Sequence, residues 1–251
     1  MVQINNILQL DNELNELNKF INSGDRKNMV DDIFSYYTKI LPSISLRHNH
    51  VEIRNSKIHG KGLFATKKIP KDAIITFYPA HAISRGSETF FIDDHQDKES
   101  FIFNIEHNKY VKTYGFTYHD SSATIIGNPE WINDTTMLGH MINDASENTF
   151  KYIEYDKINN LDVYKKAVIE YYKKGKPRRN CRFSQTGSYP ICCVATKNIK
   201  PNEEILNLYE HIYWYDHTYN KNDYADKEVT NLFKKCLDDN IFRNNLDLYF
   251  K

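Results

Sequence analysis

The chain has 251 residues, 40% of them hydrophobic and 26% charged, a composition that supports one or two packed domains and excludes collagen and wholesale disorder. Lys and Arg number 33 and Asp and Glu number 33, so the molecule as a whole has no long-range attraction for nucleic acid or anionic lipid, and any such contact must be local. No stretch approaches the roughly 18 uninterrupted apolar residues of a spanning helix. The opening MVQINNILQLDNEL is too acidic and too polar for a signal peptide. An intracellular location is expected: nucleus or cytoplasm, or a host cell for a virus or an intracellular microbe.

In chain order, Ile7, Leu10, Leu14, Leu17 and Ile21 fall three and four apart, which predicts an amphipathic helix ended by Ser23-Gly24. Met29, Val30, Ile33, Phe34, Tyr37, Ile40 and Leu41 share the face of a second helix, stopped by Pro42. Residues 1–47 therefore read as a helical hairpin laid on another layer. The first helix also fits a short heptad seam, so the hairpin is either a packed cap or a dimer contact, and the chain either a monomer or a homodimer.

From His50 the texture changes to short β-like runs broken by Gly, Pro and Asn: Val51–Arg54, Leu63–Ala65, Ala73–Tyr78, Thr124–Ile126, Ile191–Ala195 and Ile205–Leu208. Within this β-rich region, which extends over 48–210, residues 157–175 carry Leu161, Tyr164, Ala167, Val168, Tyr171 and Tyr172 at helical spacing. Asn160 is placed to cap that inserted helix and Gly175 to end it. Residues 211–251 begin with HIYWYDHTY and continue with Val229, Leu232, Phe233 and Cys236 on one stripe, a C-terminal helical cover.

Cys181, Cys192, Cys193 and Cys236 form neither a C-x-x-C pair nor a spaced framework, so they read as reduced thiols. The histidines show no metal-ligand spacing, and no metal site is assigned. Lys173–Arg179 (KKGKPRR) is the one dense basic run. It is either a solvated loop, a nuclear address, or a contact to acidic chromatin surface or nucleic acid.

Three islands in the β-rich region carry a further signal. The first is Ser56–Ala65 (SKIHGKGLFA), followed by KKIPKD at 67–72 and ITFYP at 75–79. The second is Gly139–Ala145 (GHMINDA). The third is Asn180-Cys181, ICCVATKNI at 191–199 and KPNEEILNLY at 200–209. Together they resemble the SET domain of protein lysine methyltransferases: its G-x-G-L-F-A run and Y-x-G strand, its R-F-I-N-H-S segment, and its N-C and G-E-E-L-x-x-x-Y segments, in the same order. The resemblance implies an α+β chain with a SET-type β-rich fold of small sheets, a knot-like C-terminal crossing, and flanking helices at both ends.

It also implies S-adenosylmethionine as cofactor and a protein lysine as substrate, with histone lysine methylation in chromatin the first class to expect. Such a transfer is an in-line displacement that needs a neutral amine, near-attack geometry and excluded water. A free lysine, with pKa about 10.4, arrives as ammonium; desolvation and the sulfonium charge favour losing the proton. By resemblance, Gly60 and Gly62 let backbone approach the cofactor, Lys61 meets its carboxylate, and Leu63 follows in the same run. Asn143 contacts its amino-acid end, and Asp144 offers backbone to adenine. Tyr209 is the catalytic hydroxyl. Tyr78, Tyr213 and Trp214 line the lysine channel or stack on adenine, or are ordinary packing; in that reading Trp214 belongs to the cofactor and the two tyrosines to the channel. Tyr213, just before Trp214, is expected to limit the product to mono- and dimethyllysine.

The sequence departs from the family pattern in several places. Asp144 stands where histidine is usual, Ala80 replaces the glycine of Y-x-G, and Asn202 replaces the glycine before Glu-Glu, where a left-handed backbone is tolerable for asparagine. Asn143 and Asn180 are 37 positions apart, so the inserted helix must loop out between them; an alternative register, with Asn148 as the second asparagine, leaves the same insertion further along. These departures support a rival reading: a catalytically inactive SET module that binds a peptide or protein partner.

Overall fold

The computed structural model describes residues 2–21, 29–85, 88–92, 98–106, 109–117, 123–158, 160–185, 190–219 and 225–250. In chain order its elements are β1 (Val2–Ile4), α1 (Ile7–Ile21), α2 (Met29–Ser35), β2 (Ile44–Leu46), β3 (Val51–Asn55), β4 (Lys61–Ala65), β5 (Ile74–Phe77), β6 (Ala82–Arg85) and β7 (Glu88–Phe91). Then come α3 (Lys98–Glu106), α4 (Lys109–Tyr114), β8 (Gly115–Thr117), β9 (Ala123–Ile126), β10 (Asn143–Asp144), α5 (Tyr155–Ile158), α6 (Leu161–Arg178), β11 (Cys181–Gln185) and β12 (Ile191–Ala195). The chain finishes with β13 (Leu206–Asn207), α7 (His211–Tyr219), α8 (Ala225–Leu237) and α9 (Asn240–Phe250). Residues 1–142 and 180–205 form one compact unit, and residues 143–179 and 206–251 a second.

The first unit is built of small sheets: an antiparallel β11-β12-β5 sheet, a β3-β4 hairpin, a β7-β6-β9-β8 sheet and a parallel β1-β2 pair. β12 shows why its sequence is apolar throughout. All five of its residues are buried, and successive side chains point to opposite faces. Cys192 and Val194 join Leu10, Ile33, Ile40, Ile74 and Ile125 in one core, while Cys193 and Ala195 join Leu63, Ile142, Ile199 and Ile205 in another. The four cysteines are buried and form no disulfide. Burial pushes the Cys192 thiol up to about 12 and that of Cys236 up to about 11, and holds Cys193 well above the ordinary range.

The N-terminal helices occupy the predicted places. Asn6 caps α1 by accepting from the Gln9 N–H at 3.0 Å, and Leu10 and Leu14 are buried. The side chains of Leu17, Ile21 and Met29 lie outside the described residues. Phe34, expected on the buried face of the second helix, is exposed, because Ile33 and Tyr37 already occupy that face and position 34 is rotated off it. Pro42 does not stop the helical run. Tyr36–Ile40 widen into a π turn and Leu41–Ser43 tighten into a 3-10 turn that takes Pro42 near its start, where a missing N–H costs nothing. β1, before α1, and β2, after α2, pair in parallel, in register Val2 with Ile44, a pairing with no signal in the sequence; the predicted stop at Ser23-Gly24 lies outside the described residues. Nor did the sequence signal β6, β7, β8, α3 or α4. These are short pieces, and α3 buries Phe101 and Ile105 yet exposes Phe103.

In the second unit, α6 buries Tyr164, Ala167, Val168, Tyr171 and Tyr172 in a core with Phe150, Tyr215, Leu232, Cys236, Phe242 and Leu246. The side chain of Val229 lies outside the described residues. Asn160 caps α6 as predicted, accepting from the N–H groups of Asp162 and Val163. Gly175, however, does not end it. The helix runs on to Arg178 with Pro177 inside its last turn, so Lys173–Arg178 is helix and not a loop. Gly175 serves a close approach instead: a Cβ there would stand 2.4 Å from Leu208 Cδ2 and 2.9 Å from Ser146 Cβ.

Two expected outcomes follow from the first unit. His140 is buried, with Nε2 3.1 Å from the Asn128 carbonyl and Nδ1 without a partner, and burial pulls its pKa down to about 4. An unfolded imidazole takes up its proton near 6.5, so between that pH and about 4 the unfolded chain binds more protons and stability falls as pH falls, by about 2 kcal/mol at pH 5. Urea denaturation at pH 7.5 and pH 5 should show this loss, and His140→Gln should shrink it by about that amount. Gly60 ends the turn between β3 and β4, where Ser56 N–H donates to its carbonyl at 2.8 Å. Its φ is +49°, and a methyl group placed on its Cα would meet nothing within 4 Å. Gly60→Ala should therefore cost only the backbone term, about 1 kcal/mol, read as a fall of about 2–4 °C in melting temperature.

Candidate active site

The predicted site residues divide between the two units. In the first, Lys61 is exposed at the start of β4, Gly62 is buried, and Leu63 lies wholly inside the core. Tyr78, 6% exposed, is boxed by Phe116, His140 and Phe183 at ring distances of 5.5, 6.5 and 5.6 Å. Its carbonyl accepts from the Tyr37 hydroxyl at 2.7 Å. Ala80 is buried, and Asn202 has φ +65°, the left-handed conformation its place in the pattern requires. Asn180 is buried, and its amide donates to Glu203 Oε1 at 3.1 Å and to the Glu204 carbonyl at 2.7 Å. Asn148, the alternative second asparagine, belongs to the second unit and bonds Thr218 there at 2.9 Å.

The second unit gathers Asn143, Asp144, Tyr209, Tyr213 and Trp214. Asn143 and Asp144 form β10, paired in parallel with Leu206 and Asn207 of β13, which places the chain just before Tyr209 beside Asp144. The Asp144 carboxylate is 3% exposed. Its Oδ2 accepts from the Tyr171 hydroxyl at 2.7 Å, the Trp214 indole Nε1–H at 2.7 Å and the Tyr209 N–H at 3.2 Å. Its Oδ1 accepts from the Ser146 N–H at 2.8 Å. Burial pushes this carboxyl above its ordinary range while the four donors pull it down, and burial has the larger effect. No motif pointed to that side chain as a hub, since the resemblance gave Asp144 a backbone role alone.

Aromatic rings continue the arrangement. Tyr209 meets Tyr213 edge-on at 5.0 Å, Tyr213 meets Trp214 at 5.1 Å, and Tyr213 stacks on His217 at 5.9 Å. Tyr209 itself is half-buried. Behind it the Tyr172 hydroxyl lies 3.1 Å from His211 Nδ1, and burial pulls the His211 pKa down to about 3, leaving the ring neutral.

Two clefts lie elsewhere. One of about 640 Å³ is lined by Lys165, Ile169, Lys173, Ile241 and Phe242 on α6 and α9, and contains no residue of the three islands. The other, about 550 Å³, is lined by Tyr37, Pro79, Ala80, His81 and Trp131; of the islands it takes only the end of the Y-x-G strand. Neither cleft gathers the residues that the resemblance singles out.

No curated protein matches the chain significantly. Two crystal structures of ATXR5, one of its SET domain in complex with histone H3 dimethylated on an arginine and one with histone H3.1 monomethylated on an arginine, are similar at 16% identity with TM-scores of 0.36 and 0.35. Each alignment covers 64% of this chain and 59% of that one, so the chain spans about three-fifths of those structures, and a likeness this slight carries no weight for function. The SET-domain family model matches residues 60–210, more than half of the chain and nearly all of the three islands, and on that match the chain belongs to the SET-domain family.

Proposed function

We propose that the chain is an S-adenosylmethionine-dependent protein lysine N-methyltransferase, with histones the first substrate class to test. Members of the family are lysine methyltransferases, and the observation that carries the reading to this chain is Tyr209. It combines a half-buried side chain, a backbone N–H held by a buried carboxylate, and an aromatic neighbour in Tyr213, whose ring in turn meets Trp214. When bound, S-adenosylmethionine supplies an electrophilic methyl carbon on a sulfonium. The residues that the resemblance assigns to it suit such a molecule: a turn glycine at Gly60 with open space in place of a side chain, the exposed ammonium of Lys61 for a carboxylate, the amide of Asn143, and the indole of Trp214.

The chain's own contribution is orientation and dryness. Tyr209 would hold the amine with its lone pair aligned, and the rings of Tyr213 and Trp214 would exclude water, favouring the neutral amine over ammonium. The short parallel pair of β10 and β13 supports the knot-like crossing of the C-terminal segment. Lys173–Arg179, at the end of α6, is the segment that would make a weak chromatin or nucleic-acid contact, although Lys174 pairs with Glu170 at 3.0 Å.

Titration calorimetry in the presence of a chelator should show S-adenosylmethionine or its demethylated product binding with a dissociation constant of about micromolar order. No heat at millimolar ligand would remove the enzyme reading and leave the peptide-binding module. Radiolabelled methyl transfer to histones, nucleosomes and the protein itself then tests Tyr209. Tyr209→Phe should lower turnover at least about tenfold, roughly 1.4 kcal/mol of transition-state stabilisation, with cofactor affinity little changed. Near-normal turnover would take Tyr209 off the catalytic list.

A further inference from the structure

Asp144 of β10 and Tyr171 of the inserted helix α6 between them hold the backbone on both sides of Tyr209. The Tyr209 N–H donates to Asp144 Oδ2 at 3.2 Å. The next N–H, that of Glu210, donates to the Tyr171 hydroxyl at 3.0 Å, and that same hydroxyl donates to Asp144 Oδ2 at 2.7 Å. Glu210 has φ +77°, a left-handed conformation that a non-glycine residue keeps only where its surroundings hold it. Tyr171 is wholly buried on α6, and its own carbonyl accepts from Ser146 Oγ at 2.8 Å, so the hydroxyl has a fixed origin. Ser146 in turn gives its N–H to Asp144 Oδ1.

The partners of Asp144 in this network are neutral dipoles: a phenol, an indole and two peptide groups. Burying an anion against dipoles alone opposes folding, and such a group persists where it fixes a geometry. Here the geometry is the direction in which the Tyr209 ring leaves the backbone, since the peptide groups before and after its Cα are both captured.

Building on the methyltransferase reading, we propose that Asp144 and Tyr171 are a positioning pair for Tyr209. The inserted helix is thereby part of the catalytic apparatus: Tyr171 supplies from α6 a hydroxyl that clamps the turn after the catalytic tyrosine, and neither residue of the pair needs to touch substrate.

The test uses Tyr171→Phe, which keeps the ring and its packing and removes only the hydroxyl, with Asp144→Asn as a second variant. The first readout needs no activity. Amide hydrogen exchange by NMR should be at least about tenfold faster at Tyr209 and Glu210 in Tyr171→Phe, with amides in the first unit unchanged. The second readout is kinetic: kcat should fall about tenfold while KM for cofactor and peptide stays within about twofold. The third is a double-mutant comparison. If Tyr171 acts through Tyr209, adding Tyr171→Phe to Tyr209→Phe should lower kcat no further.

Unchanged exchange at both amides in Tyr171→Phe overturns the proposal, as does a fall in kcat that simply tracks the loss of folded protein or that repeats undiminished in the Tyr209→Phe background. If the natural protein transfers no methyl group to any substrate tried, the methyltransferase reading fails, and the clamp is then judged on exchange alone: faster exchange at Tyr209 and Glu210 supports it, unchanged exchange sinks it. Asp144→Asn should speed exchange at Tyr209 and shift the Trp214 indole resonance, and a variant that does neither counts against the pair.

Discussion

A carboxylate can be hidden from water only if enough donors are brought to it, and in the second unit that requirement falls on Asp144. Its donors come from far apart in the sequence: Ser146 two residues on, Tyr171 in the inserted helix, Tyr209 after β13 and Trp214 in α7. Satisfying one anion therefore fixes the relative placement of four chain segments, and removing any donor leaves the charge less compensated. A network of this kind is costly when half made and rigid when complete. The aromatic rings of Tyr209, Tyr213 and Trp214 stand on that base, and the core of Tyr164, Tyr215, Phe150 and Phe242 closes beneath it.

How much of this is legible in the sequence depends on the length over which each signal extends. Strands such as β3, β5 and β12 are legible because four or five consecutive residues repeat one preference. The face of α6 is legible because Tyr164, Val168, Tyr171 and Tyr172 recur at helical spacing. The two-residue strand β10 carries no periodicity and is marked only by the motif residue Asn143, whereas β13 falls within the apolar run Ile205–Leu208. Of the sheet built from β6 to β9 only β9 is legible, as the run Thr124–Ile126; in β7 exposed and half-buried positions alternate, with no apolar run to mark it.

Gly175 misleads for a physical reason. A glycine carries a strong average meaning, stop, that holds when backbone conformation is the only consideration. At Gly175 the deciding factor is the nearness of Leu208 and Ser146, a tertiary fact with no local trace. Tyr171 is visible in the sequence as a core tyrosine but not as a clamp. The available hint is general: a fully buried phenol needs a partner for its hydroxyl, and three tyrosines on one helical face mean polar chemistry somewhere inside the second unit. Asp144 stands out in the sequence only as an exception to a histidine, whereas in the structure its side chain accepts four hydrogen bonds.

The buried thiols give the molecule a built-in reporter. Cys181, Cys192 and Cys193 lie in the β11-β12-β5 sheet of the first unit, and Cys236 lies in α8 of the second. An alkylating reagent attacks the thiolate, which burial suppresses at Cys192, Cys193 and Cys236, and it must also reach the sulfur. Capture therefore waits for the surrounding structure to open. Peptide mapping of the trapped cysteines would time-stamp that opening separately for the two units, using chemistry the natural sequence already contains.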